Sequence, residues 1–117
     1  MSIPTEVKFL NADRSEALEA RIRERVERLE RFHDGLLACE VVVSAPHQHK
    51  HKGHVYRVAV RLELPGGELL ANRGSEKDHA HEDPYVAVRD AFDAMKRQLE
   101  DHVRRHDHRT RPNEPGS

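Results

Sequence analysis

The sequence predicts one α+β domain in the order β-α-β-β-β-α, a two-layer sandwich in which a four-stranded mixed sheet carries both helices on one face. Three observations point there. Residues 13–32 and 85–105 place apolar side chains at helical spacing, while four shorter stretches alternate apolar and polar residues. The chain has 117 residues, 36% hydrophobic and 35% charged, enough for one modest core and no more.

The first strand falls within residues 3–11, where Val7 and Phe9 share one side and Lys8 takes the other. Asp13 followed by Glu16 has capping-box spacing, so the first helix is expected to begin there and run to about Phe32. His33-Asp34-Gly35 ends it, with Gly35 read as a left-handed cap. In LLACEVVVS, Leu37, Cys39, Val41 and Val43 alternate with Ala38, Glu40 and Val42, a second strand in which Cys39 is a packed core thiol. The polar stretch APHQHKHKGH reads as a loop. HVYRVAVRLEL follows, with Tyr56, Val58, Val60, Leu62 and Leu64 on one face and Arg57, Arg61 and Glu63 on the other.

Pro65-Gly66-Gly67 makes a tight hairpin into GELLANR, the fourth strand. After GSEKDHAHE, Asp83 is an N-cap and Pro84 the first helical position. The second helix carries Tyr85, Val88, Phe92, Met95, Leu99 and Val103, and is expected to end near Arg105. The domain is thus expected to span residues 1–105, with 106–117 a disordered polar tail. A right-handed crossover through the first helix makes strands one and two parallel; hairpins make the remaining pairs antiparallel.

Charge is sorted on the first helix. On a wheel of about 100° per residue, Leu18, Ile22, Val26 and Leu29 form the apolar face. Arg14, Arg21, Arg25 and Arg28 gather along one flank of it; Glu16, Glu19, Glu27 and Glu30 lie beyond the other, with Arg23 among them. A ridge of one sign suits a polyanion partner. The total charge is only −1 with His neutral, so such binding must come from local segregation.

Other classes have little support. No nucleophile elbow, phosphate loop, cysteine pair or HExxH occurs, so neither catalysis, a small-molecule substrate nor a cofactor is expected. Tyr56 and Phe9 point to the helix-covered face, so the sheet offers no aromatic platform for RNA, and Tyr85 is expected to pack against the sheet. No apolar run reaches the roughly 20 residues of a membrane span. MSIPTEVKFL lacks the basic start and long apolar segment of a signal peptide, and a lone cysteine fits a reducing compartment; a cytoplasmic location without membrane contact is expected.

Two motifs carry a family resemblance. One is Glu82-Asp83-x-Tyr85-x-Ala87-Val88, continued by Met95-x-Arg97-Gln98-Leu99; the other is Arg25-x-x-Arg28-Leu29-Glu30-Arg31-Phe32. Over about residues 5–105 the chain resembles the ribosome hibernation-promoting factors, also called ribosome-associated inhibitor, S30EA or sigma-54 modulation proteins. The resemblance implies the fold proposed above and a short form without a dimerisation domain. It also implies binding of the small ribosomal subunit and its 16S rRNA in the channel for messenger and transfer RNA, which inhibits translation and preserves idle ribosomes.

It further places basic residues at Arg25, Arg28, Arg31 and Arg97, whose planar forks suit phosphate. Adding the other cations of the two helices, the candidate rRNA contacts are Arg21, Arg25, Arg28, Arg31, Arg89, Lys96, Arg97 and Arg104. Two departures dilute the second helix: Ala94 stands where many relatives carry Lys, and Asp101 at a commonly basic position.

Two segments are rich in histidine, with His47, His49, His51 and His54 in one and His79 and His81 in the other. The topology brings both to one end of the sheet, beside both helix N-termini. One reading is a metal-binding domain using His47, His49, His51, His79 and His81. A second has protonated imidazoles joining Lys50 and Lys52 against phosphate as pH falls, and a third is a solvated loop. A protein partner on the open sheet face around Arg57 and Arg61 is a further class of reading, and self-association is left open.

Overall fold

The alternation of β-branched and polar residues is realised as one mixed sheet. The computed structural model describes residues 3–45, 48–49, 53–54, 56–73 and 83–110, with backbone alone for 48–49, 53–54, 73 and 106–110. Strand β1 (Thr5–Leu10) leads to helix α1 (Glu16–Phe32) and then β2 (Ala38–Ser44). Two short strands, β3 (Gln48–His49) and β4 (Gly53–His54), precede β5 (Arg57–Leu64), β6 (Gly67–Arg73) and helix α2 (Pro84–Thr110).

The main sheet has the order β1-β2-β5-β6. β1 pairs parallel with β2 through Thr5↔Cys39 to Leu10↔Ser44; the other neighbours are antiparallel, with Val41↔Val60 and Val60↔Ala71 in register. Because β1, β2 and β6 run one way and each helix returns along the sheet, α1 and α2 run in the same direction. Both pack on one face. Leu18, Ile22, Val26 and Leu29 of α1 and Val88, Phe92, Met95 and Leu99 of α2 close over Cys39, Val41, Val43, Val58, Val60 and Leu62. Ala87, Ala91 and Ala94 are also buried, small side chains that let α2 lie close to its neighbours. On edge strand β6, the Leu70 carbonyl accepts a hydrogen bond from Gln98 Nε2 of α2 at 2.6 Å.

Several local expectations are corrected. The N-cap of α1 is Ser15, two residues after Asp13: its Oγ accepts from the Leu18 N–H at 3.1 Å, while the backbone turns out of β1 through Asn11 at φ 56°. At the other end His33 is the cap, in an extended conformation, and Gly35 is not left-handed; among the described residues Gly66 alone is a glycine with positive φ. Gly35 answers a different need. Its N–H donates to His33 Nδ1 at 2.9 Å, and a Cβ there would meet the His33 ring at 2.8 Å.

Leu37, assigned to the buried face by alternation, is 50% exposed, and Leu36 is buried in its place. The stretch read as a loop contains β3 and β4, paired antiparallel through Gln48↔His54 and His49↔Gly53. The expected end of α2 at Arg105 is passed by five residues, so 106–110 continue the helix and 111–117 lie outside the described residues. Hydrophobic periodicity stops at Val103, but a backbone hydrogen-bond ladder needs no buried face to continue. The hairpin holds as expected: Leu64 pairs with Gly67 across Pro65-Gly66, and Gly66 has φ +87°, the value such a turn requires at its second position. Asp83 likewise caps α2, its Oδ1 accepting from the Tyr85 N–H at 2.9 Å.

Candidate nucleic-acid interface

The two flanks of α1 meet different neighbours. The acidic flank overhangs β1: Glu30 Oε1 accepts from the Ile3 N–H at 3.0 Å, and Arg23 donates to the Thr5 carbonyl at 3.3 Å and to Glu19 at 3.0 Å. The basic flank faces α2. Arg21 of α1 places its guanidinium carbon 5.5 Å from the ring centre of Tyr85 on α2, and Lys96 of α2 places Nζ 6.0 Å from the ring centre of Phe32 on α1. Arg21 and Phe32 are eleven residues apart, as are Tyr85 and Lys96. Parallel helices with equal rise make these two cation–ring contacts matching rungs, each crossing from one helix to the other.

The sequence-assigned cations divide by what they touch. Arg21 also pairs with Glu24 at 3.4 Å, Arg89 with Asp90 at 3.2 Å and Arg104 with Asp101 at 2.8 Å. Arg25, Arg28, Arg31, Lys96 and Arg97 make no ion pair among the described residues. Arg25 is half-buried, and its Nε is shielded from water with no hydrogen-bond partner.

Arg28 and Lys96 are exposed beside the interhelical contacts, and Arg97 is exposed on α2. Arg31 sits apart. It lines a groove of about 490 Å³ with Glu27, Glu30 and Asp34, on the β1 side of α1. Arg14 leaves the ridge altogether, since its NH2 reaches Glu19 Oε1 at 2.9 Å.

The opposite face of the sheet is charged but closed on itself. Lys8 Nζ lies 2.9 Å from Glu40 Oε2, Arg61 Nε 3.3 Å from Glu40 Oε1, and Arg61 NH1 3.0 Å from Glu68 Oε1. The hydrogen bond from Lys8, followed by that from Arg61, holds the Glu40 carboxyl below its usual range. Bonding to Glu40 raises Lys8, and bonding to Glu68 first, then Glu40, raises Arg61. Cys39 lies in the core between the two faces, where burial pushes its thiol up to about 12.

The segments bearing the histidines leave the sheet at one end, since Ser44 pairs with Arg57 and Arg73 with Val58. His47, His51, His79 and His81 lie outside the described residues, and His49 is described only as backbone in β3. Among the described residues no group of three or more His, Cys, Asp or Glu could hold a metal. No described helix is long and apolar enough to cross a membrane. Tyr85 packs against the core as expected, and its ring also receives Arg21.

Sequence reasoning missed Phe32. It lies at the last position of α1 on the Arg25–Arg28 flank, and that wheel position was the available signal.

An α+β domain bearing two parallel helices, with a set of cations upon them that lack ion pairs among the described residues, is the class of protein this structure defines. The chain matches the sigma 54 modulation protein / S30EA ribosomal protein family over residues 5–107, and it belongs to that family. Its fold resembles the Thermus thermophilus Protein Y N-terminal domain, with TM-score 0.66 and 24% identity over 87% of this chain and 99% of that one. It also resembles a ribosomal subunit interface protein from Coxiella burnetii, with TM-score 0.68 and 19% identity over 86% and 98% of the two chains. No curated protein sequence gives a significant match.

Proposed function

We propose that this protein binds the small ribosomal subunit through 16S rRNA, occupies the channel used by messenger and transfer RNA, and thereby silences and preserves idle ribosomes. The observation that carries this reading is the set of four cations, Arg25, Arg28, Lys96 and Arg97, that have no ion-pair partner among the described residues of a highly charged molecule; Arg31, in a groove shared with Glu27, Glu30 and Asp34, stands apart from them. Such groups break no ion pair within the described residues when a phosphate takes them. Membership of the S30EA family and the fold shared with a ribosomal subunit interface protein support the same partner.

Arg21, Arg89 and Arg104 contribute after exchanging weak exposed pairs for phosphate, at little cost. Attachment by phosphate alone reads no sequence, and each neutralised phosphate releases counterions. Four contacts give a slope of log K against log salt of roughly −2.8 to −3.6, taking about −0.7 to −0.9 per phosphate. The action is occlusion, without catalysis or cofactor, and the proposed location is the cytoplasm. Sucrose-gradient sedimentation with purified small subunits tests it. The protein co-sediments at low salt and is released over a several-fold rise in salt, and it competes with messenger and initiator transfer RNA. Protein remaining at the top of a low-salt gradient overturns the reading.

A further inference from the structure

All five aromatic residues of the chain fall among the described residues, and four of them, Phe9, Tyr56, Tyr85 and Phe92, are half-buried or buried. Phe32 is 43% exposed. Packing therefore leaves well over a third of its surface open to solvent. Its surroundings are cationic: Lys96 Nζ lies 6.0 Å from the ring centre, and Arg28 and Arg25 precede it by one and two helical turns on the same flank. None of these three cations has an ion-pair partner among the described residues.

Phosphate would use the cations and gain nothing from the ring. A nucleobase has a flat π-face that an aromatic side chain accepts, and the phosphates on either side of it fall within reach of neighbouring cations. Bases inside a duplex already stack on one another, so the matching ligand has its base unpaired.

We propose that Phe32 is a stacking platform for one unpaired nucleobase of RNA, with Lys96 and Arg28 taking the flanking phosphates. This inference rests on the reading that RNA meets the helical face, and adds to it a preference for single-stranded or bulged nucleotides that phosphate contacts alone cannot supply.

The chain contains no tryptophan, so Phe32→Trp in the full protein introduces a single indole, whose emission is excited apart from that of the two tyrosines. Binding of a purine-rich single-stranded oligoribonucleotide is expected to quench its emission. Inorganic polyphosphate and a fully paired RNA duplex are expected to bind without quenching. In parallel, Phe32→Leu keeps an apolar side chain but removes the ring. It should weaken single-strand binding about tenfold while leaving the salt slope and polyphosphate affinity unchanged, and Phe32→Tyr should restore affinity. Equal emission with bound single strand and bound polyphosphate overturns the proposal, as does undiminished single-strand affinity in Phe32→Leu. Failure of the parent protein to bind either polyanion instead removes the wider reading, since a failure of stacking alone leaves polyphosphate binding intact.

Discussion

The two broad faces of this molecule use the same residue types to opposite ends. On the open sheet, Lys8, Glu40, Arg61 and Glu68 link all four strands of the main sheet, one carboxylate or cation to the next. On the helices, Arg25, Arg28, Lys96 and Arg97 have no ion-pair partner among the described residues. Exposure does not separate the two sets, for Lys8 and Arg61 are 48% and 40% exposed and still paired. If the proposed rRNA contact holds, the binding face is marked by cations lacking counter-charges among the described residues, not by the number of cations.

The strongest attempt to break this contrast is a pair of charge reversals. Arg25→Glu with Arg28→Glu should lower small-subunit affinity at least about 100-fold, near 3 kcal/mol, and reduce the salt slope by nearly 2. Lys8→Glu with Arg61→Glu, on the other face, should leave both quantities within error. Equal losses from the two double variants would mean that pairing does not distinguish the faces. A smaller effect separates stability from binding on α1 itself. Ser15→Ala should cost about 1 kcal/mol of stability by urea unfolding, with Asp13→Ala near zero and the salt slope unchanged in both.

Smaller still is the pH response of the open face. Glu40 titrates below the usual 4.5, so its contribution is present above that value and is lost as pH falls through its lowered pKa. Lys8 titrates above the usual 10.5, so its contribution is present below that value and lost as pH climbs past the raised one. The difference in melting temperature between the parent and Glu40→Gln should therefore be small, constant from about pH 5 to 10, and absent in strong acid. The least effect is expected at Cys39, whose thiol is pushed up to about 12. A thiol reagent at pH 8 should leave it unmodified until urea unfolds the domain.

Much of the fold was legible because its core obeys two simple periods. Val41, Val43, Val58, Val60 and Leu62 follow one; Leu18, Ile22, Val26 and Leu29 follow the other. Boundaries were less legible. Ser15 and Asp13 are both good caps, and only the path of the backbone after Asn11 chooses between them. Gly35 looked like a left-handed cap because glycine usually serves that role, whereas here the His33 ring sets the requirement from a distance no pattern encodes.

Leu36 and Leu37 exchanged places for a related reason, since β2 begins one residue after Leu37 and alternation has no hold before it. Within the candidate site, the Arg21, Arg25 and Arg28 ridge was visible on the wheel. Which cations stay unpaired was not, because Arg89–Asp90 and Arg104–Asp101 depend on rotamers, and the Phe32–Lys96 contact depends on how two distant helices align.

Gln98 has a consequence for how molecules of this protein keep apart in a crowded solution. A sheet grows by recruiting a new strand to its outermost backbone amides and carbonyls, the first step toward fibrils and swapped dimers. At Leu70 that acceptor is already engaged by a side-chain amide from the helix behind it. A would-be recruit must displace an intramolecular donor that is tethered in place. At this one position of the β6 edge a new strand therefore meets competition, although Leu70 itself projects 55% of its surface to water.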